Sequence, residues 1–453
     1  MSRKKLSWLW TVCLLLPGCR SSNDPVNPAS ATSGAPTLVK KHVGVPGTLL
    51  ADCRRIVFVG DSITYSGQFV DDVEMVVRRL APASEFEFLD LGLPSETVSG
   101  LSEPGHAGGS FPRPTLHERL QRLLELTHPD LVIACYGMND GIYYPFSQSK
   151  FEAFQQGIIL LHERVLSSGA KIIHVTPPVF DAVPIRQHTL PAGRDEYRQP
   201  FEGYDTVLEH YSEWLIGQRK IGWTVIDAHS HLKHFLDQQR LKNPGFLLAS
   251  DGVHMNDYGH WLLAQSLLSG LNVPLKRDRV IVDLESGKAT GPGVTKAQKQ
   301  NGGVTFLWHT VPPLPLPAGK PDSLQPNAPA TMPSFGDEHC LVGDRTKATR
   351  YELFEGDKRL GDVSPEELSA GIDTRRFPEL STSARGKEML RLIHARNHML
   401  SDSWLTTVGH KRPGMAKGLP VAEAVAQAED LNQKIKELNQ PVELRFRVAP
   451  VSP

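Results

Sequence analysis

The chain has 453 residues, 40% of them apolar and 22% charged, with a net charge of −1. That length exceeds what one ordinary core accommodates, so more than one folded region is expected. The near-balanced charge offers no electrostatic footprint for nucleic acid or for an anionic membrane.

Arg3, Lys4 and Lys5 precede a mainly apolar stretch from Leu6 to Leu16. A bilayer-spanning helix needs about 20 residues, so this stretch fits the core of a secretory signal instead. It ends in Leu16-Pro17-Gly18-Cys19, which resembles a bacterial lipobox, in which the Cys is lipidated and becomes the mature N-terminus. The alternative is a plain secretory signal with Cys19 incidental. Residues 1–19 are thus expected to be a lipoprotein-type signal. Residues 20–48, rich in Ser, Pro, Ala, Asn and Thr, are expected to be a flexible linker. Of the five cysteines, Cys53, Cys135 and Cys340 remain beyond the leader, enough for one disulfide, and no spacing suggests a metal site.

Strand and helix patterns then alternate. Arg55 to Val59 reads as a buried strand, Gln68 to Leu80 as a helix and Glu87 to Leu91 as a strand. Leu116 to Leu126 is expected to be helical, Leu131 to Cys135 a strand, Phe151 to Leu166 a helix and Lys171 to Val175 a strand. Asp205 to Gln218 reads as a helix, Thr224 to Ile226 as a strand and Tyr258 to Leu271 as the last helix of this block. This order predicts a parallel sheet with helices on both faces over residues 49–273. Residues 274–453 read as an accessory α+β region. Its expected strands are Arg279 to Leu284, Gly303 to Trp308 and Val442 to Val448, with a hairpin over Tyr351 to Leu360. A Pro-rich crossing at Val311 to Pro317 and a loop from Ala318 to Pro333 lie between them. Its expected helices are Gly386 to Val408 and Val421 to Leu438.

The chemistry-bearing segments fall after the strands of the first block. Gly60-Asp61-Ser62 follows the first strand, Gly92 lies in Leu91-Gly92-Leu93-Pro94-Ser95 after the second, and Gly137-Met138-Asn139-Asp140 follows the third. Asp251-Gly252-Val253-His254 precedes the last helix. Ser is a weak nucleophile without a neighbouring base. His254 is a suitable base, and Asp251, three residues earlier, can turn back to fix its tautomer. Alone, each segment also reads as a helix cap or a turn.

Together the four segments resemble the blocks of the SGNH (GDSL-type) hydrolases, over about residues 54–272, and the wording around them is similar to large lipoprotein hydrolases of environmental bacteria. The resemblance implies a flavodoxin-like three-layer α/β/α sandwich and hydrolysis of esters by a Ser62–His254–Asp251 triad. It also implies an oxyanion hole formed by the Ser62 N–H, a backbone N–H of the second block and the Asn139 side chain. Where the family often carries a second Gly, this chain has Ser95, so the backbone donor is open between Gly92 and Ser95. Asp61 is expected to hold the loop around Ser62. The Gly-rich stretch from Ser102 to Arg113 lies along the same edge. From it His106 and Arg113, and from the third block Asp140 and Tyr143, are candidate substrate contacts. His229, His231 and His234 invite a zinc reading, but a polar helix start accounts for them better, and the mechanism calls for no cofactor.

The expected activity is that of an exported serine-dependent carboxylester hydrolase, anchored in the cell envelope through a lipid on Cys19. Its expected partner is an ester substrate, with acetylated polysaccharide favoured. The alternatives are a lipase or lysophospholipase and a surface glycan-binding protein that uses the sandwich as a scaffold.

Overall fold

The computed structural model describes residues 44–189, 199–274, 278–317, 339–344, 348–410 and 417–451. The signal, Cys19, most of the expected linker and the loop expected from Ala318 lie outside the described residues. Within the expected linker, Val45 is buried in the core, and the Leu49 N–H just beyond it donates to the Leu271 carbonyl at 3.0 Å. Ordered chain therefore begins before residue 48, because apolar Val45 and Leu50 have a core to enter.

The first core is built on five strands: β1 (Arg55–Gly60), β2 (Glu87–Asp90), β3 (Leu131–Cys135), β4 (Lys171–Val175) and β5 (Thr224–Ile226). They pair in the order β2-β1-β3-β4-β5, all parallel. Strands β1 and β3 are buried along nearly their whole length, which explains their unbroken apolar runs. Between and after the strands run α1 (Ser62–Tyr65), α2 (Gln68–Leu80), α3 (Leu120–Thr127), α4 (Gln148–Ser167), α5 (Tyr204–Gly217), α6 (Ala228–Lys242) and α7 (Asp257–Gly270). The result is the three-layer α/β/α sandwich. Its strand order reverses between β1 and β3, and in open parallel sheets ligands bind at the carboxyl ends of the strands at that switch point.

The helix expected over Leu116 to Leu126 is broken. A short 3-10 turn at Leu116–Glu118 precedes α3, and Arg119 stands between them. The break turns the Arg119 guanidinium into the interior, where it meets Glu96. Helix α6 extends the polar helix start read around His229 to Lys242. His231 Nδ1 lies 2.5 Å from Ser266 Oγ and His229 Nδ1 lies 3.2 Å from the Pro177 carbonyl.

Beyond residue 273 lie β6 (Asp278–Asp283), β7 (Lys288–Thr290), β8 (Val294–Gln300), β9 (Gly303–Thr310), β10 (His339–Asp344), β11 (Tyr351–Glu355), β12 (Lys358–Val363), α8 (Pro365–Ala370), β13 (Ile372–Asp373), α9 (Ser381–Val408), α10 (Val421–Leu438) and β14 (Val442–Pro450). One sheet runs β12-β11-β14-β9-β8 with every pairing antiparallel, and a smaller one runs β13-β10-β6-β7. They enclose a second core around Phe306, Trp308, Leu353 and Phe446. Helices α9 and α10 join the first core instead: Met389, Ile393, Leu405, Ala424 and Ile435 are buried with the sandwich residues.

Helix α9 meets α2 through buried polar groups. Arg396 pairs with Glu74, and the Asn397 amide donates to Asp71 at 2.7 Å and to Glu74 at 2.8 Å. Arg78, also bonded to Glu74 at 2.5 Å, completes the neutralisation of that buried carboxylate.

Candidate active site

The segment after β1 forms α1, whose first residue is Ser62. Asp61 is its N-cap, accepting from the Ile63 N–H at 3.0 Å. The Asp61 carboxyl is buried, and burial pushes it up to about 7. Helix α1 can lie against the second block only because residue 92 is Gly. A Cβ there would sit 2.3 Å from the Tyr65 nitrogen and 2.8 Å from the Thr64 backbone.

His254 Nε2 lies 2.9 Å from Ser62 Oγ, and His254 Nδ1 lies 2.6 Å from Asp251 Oδ2. The other Asp251 oxygen accepts from the Val253 N–H at 3.0 Å and the His254 N–H at 2.7 Å. The carboxylate thus grips both the imidazole and the turn that carries it. Burial raises the Asp251 carboxyl, but the bonds from His254 and from these amides outweigh it and hold the group well below the usual carboxylate range. The bond to Asp251 raises His254 above its ordinary value, against a smaller opposing effect of burial. The His254 and Asp251 side chains remain 47% and 40% exposed, so the relay sits at an open edge.

The structure separates the two backbone candidates of the second block. The Gly92 N–H donates to Asp90 Oδ1 at 2.9 Å. It is thereby spent, and Gly92 leaves the set of expected oxyanion donors; its place in the site is steric. Ser95 has φ +66°, the left-handed conformation that Gly adopts without cost. Its N–H has no acceptor among the described residues, and the same holds for the Ser62 N–H.

Asn139 Nδ2 donates to the carbonyl of Glu96, next to Ser95, at 3.2 Å. An amide nitrogen carries two hydrogens, so one remains. The Asn139 oxygen accepts from Arg113 Nη1 at 2.9 Å and from the Tyr143 hydroxyl at 3.0 Å. Two donors on that oxygen fix the amide's orientation. Arg113 is itself held by Glu103 through bonds of 2.6 and 2.7 Å, and His106 Nδ1 stands 3.3 Å from the same carboxylate.

Arg113, Asp140 and Tyr143, expected as substrate contacts, are buried instead. Arg113 and Tyr143 form a layer behind Asn139. Asp140 accepts from the Val98 and Ser99 N–H groups at 2.9 and 2.8 Å, pinning the second block, and burial raises it to about 6. His106, about nine-tenths buried at its side chain, reaches the site through Glu103. Among the described residues no group of His, Cys, Asp and Glu is arranged to hold a metal ion.

Sequence reasoning missed the clamp on the Ser95 loop. Arg119 donates to both oxygens of Glu96, at 2.7 and 2.6 Å, and to the Leu91 carbonyl at 2.7 Å; the Tyr136 hydroxyl adds a bond of 2.6 Å to Glu96. Arg119 and Glu96 are fully buried. Removing one member of such a pair costs about 3–5 kcal/mol, because the other is stranded without solvent. Glu96 and Arg119 lie among other polar residues in the sequence, as on a solvated face, so nothing local marked them as a buried pair.

Residues 58–262 match the model of the GDSL-like lipase/acylhydrolase family. No curated protein matches the sequence. The solved structure of a gut microbial diltiazem-metabolizing enzyme superposes with a TM-score of 0.66 at 15% identity, covering 88% of this chain and 98% of that one. That likeness extends the shared fold into the region beyond residue 273. A catalytic mutant of an acetylxylan esterase from Geobacillus stearothermophilus superposes with a TM-score of 0.36 at 17% identity, over 51% of this chain and 96% of that one.

Proposed function

We propose that this chain, which belongs to the GDSL-like lipase/acylhydrolase family and hydrolyses ester bonds, is an exported serine esterase that removes acetyl groups from carbohydrate. The observation that carries the serine mechanism is the unbroken relay from Ser62 Oγ through His254 to Asp251, at 2.9 and 2.6 Å.

In this reading Ser62 Oγ attacks the ester carbonyl as His254 Nε2 takes its proton. The negative oxygen of the tetrahedral intermediate is met by the N–H groups of Ser62 and Ser95 and by the remaining amide hydrogen of Asn139. These groups come from the carboxyl ends of β1, β2 and β3, three neighbouring strands. His254 returns the proton to the leaving alcohol, the acyl group stays on Ser62, and a water activated by His254 then releases it. Asp251 stays ionised throughout and stabilises the imidazolium.

The open setting of the relay supports a small acyl group on a polar alcohol. The basic start, the apolar stretch and Cys19 support export and lipid anchorage at the bacterial envelope. Acetate release from acetylated polysaccharide tests the substrate, alongside p-nitrophenyl esters of increasing chain length. Acetyl esters should be preferred, and Ser62→Ala should abolish turnover. A preference for long acyl chains would replace this reading with a lipase. Cys19→Ala should move the protein out of the membrane fraction; a variant that still pellets with membranes sinks the lipid anchor.

A further inference from the structure

Between the sandwich and the segments at residues 313–317 and 375–394 lies a cavity of about 680 Å³. That volume suits a small-molecule or oligomer subsite. Two lining residues tie it to the catalytic edge. Gln68 and Asp257 are the first residues of α2 and α7, and the Gln68 amide donates to Asp257 at 3.1 Å. Asp257 follows His254 by three residues, a span of at most about 10 Å. The Ser66 hydroxyl, from the turn after α1, lies 3.0 Å from His260 Nε2 on α7, which closes the same junction.

Asp72 stands out in this lining. It is 9% exposed, yet no described residue donates to its carboxyl, whereas its neighbour Asp71 is bonded by His394 and Asn397, each at 2.7 Å. Buried polar groups are nearly always satisfied, so an unpartnered one facing a cavity points to something that completes it. Burial first, and then the charges of Asp71 and Asp257, hold the Asp72 carboxyl well above the usual range. Its oxygens offer acceptors to a ligand in the cavity and, when the carboxyl is protonated, an O–H donor as well.

The lining selects among ligand charges. Arg375, Arg376 and Arg391 in this lining are each paired with a carboxylate, of Asp373, Glu367 and Glu388, while Lys387 disfavours an ammonium group and Asp257 disfavours an anion. Pro313 and Leu390 supply apolar wall. A neutral ligand carrying hydroxyls on one side and C–H groups on the other satisfies all of these at once: hydroxyls toward Asp72, Asp257 and Gln68, and a sugar-ring face against Pro313 and Leu390.

We propose that this cavity is a glycan-binding subsite that holds sugar units of the substrate beside Ser62. The assignment rests on the reading of the protein as a carbohydrate esterase, and it gives the region beyond residue 273 a share in substrate recognition.

The test is calorimetric titration of the full chain carrying Ser62→Ala with xylohexaose, cellohexaose and mannohexaose in turn. At least one should bind with a Kd of about 0.1–1 mM. Adding Asp72→Leu should weaken that binding tenfold or more, whereas Asp72→Asn, which keeps a donor and an acceptor, should retain most of it. If Asp72→Leu fails to fold, Lys387→Ala and Gln68→Ala, at the edge of the cavity, should each still weaken binding several-fold. Absence of binding by all three hexaoses, or binding that none of these substitutions alters, overturns the proposal. Parallel assays separate the two readings. Turnover of p-nitrophenyl acetate without hexaose binding leaves the esterase and removes the subsite. Asp72-sensitive binding without deacetylation of the acetylated hexaose leaves the glycan site and removes the carbohydrate-esterase reading.

Discussion

The two halves of the catalytic edge are held in opposite ways. The side that carries Ser95 and Asn139 is locked by fully or nearly buried charge: Glu96 with Arg119 and Tyr136, and Glu103 with Arg113. The side that carries Asp251 and His254 is about half exposed and is held by a single turn. The contrast follows from the tasks. Oxyanion donors act by being fixed in place before charge develops, so mobility costs rate. The base must exchange protons with substrate and water, so it has to stay accessible.

The largest effects should come from the exposed side. Ser62→Ala and His254→Ala should each lower kcat by about 10⁴- to 10⁶-fold, and the double variant should be little worse than either, because neither group works without the other. Asp251→Ala should cost less, since an untethered His254 can still accept the proton. Additive losses, measured in steady-state assays on p-nitrophenyl acetate, would break the unit.

The locked side should respond in steps. Asn139→Ala removes a donor and should lower kcat by about 100- to 1000-fold, with KM changing less. Arg113→Ala leaves the donor but frees its orientation. We expect a kcat loss of about tenfold, together with lower stability because Glu103 is stranded. An Arg113→Ala enzyme of full kcat would show that Tyr143 alone orients the amide.

The pH response follows from the exposed side as well. His254 must be neutral to act, and its bond to Asp251 raises it above 6.5. Activity should therefore rise through a midpoint above 6.5, falling about tenfold per unit on the acid side. The stability signs run the other way for the two partners. The His254 contribution is present below its unfolded value and is lost as pH climbs through the raised one. The Asp251 contribution is present above about 3.8 and is lost in acid. Full activity well below about pH 5 would contradict a neutral imidazole base.

The smallest effect should be at Ser95. Ser95→Gly keeps the N–H and relieves the left-handed strain, worth about 1 kcal/mol. Thermal unfolding should shift upward slightly while kcat stays level. A large kcat loss would mean that the Ser95 side chain takes part in the reaction.

The sandwich and the relay were readable from sequence because both are local. Buried parallel strands are continuous apolar runs, and Asp251 and His254 are bound by a three-residue spacing. The backbone donor was not readable, since whether Gly92 or Ser95 has a spare N–H depends on where the Asp90 side chain turns. Arg113 read as a substrate contact because polar residues in a Gly-rich edge usually face solvent, and Tyr143 because it lies close to Asn139 in the third block. Here both are drawn inward by the one oxygen of Asn139. Strand β8 went unread because its residues are largely exposed and polar on both faces, with no alternation to detect. The long helix α9 was read, but nothing in its pattern announced that its apolar side belongs to the other core.

Strand β14 has a consequence for how the chain reaches this state. It lies between β9 and β11, with Val442 opposite Thr310 and Tyr351 opposite Pro450. The middle of that sheet is therefore filled by residues made some 130 positions after one of its neighbours, a separation that slows folding through the entropy of closing the loop. The intervening helices α9 and α10 are packed into the sandwich. During synthesis the sandwich can form early, but β9 waits with an open edge until docking of the helices delivers β14. Until then that edge is the part of the nascent protein most in need of protection from other strands.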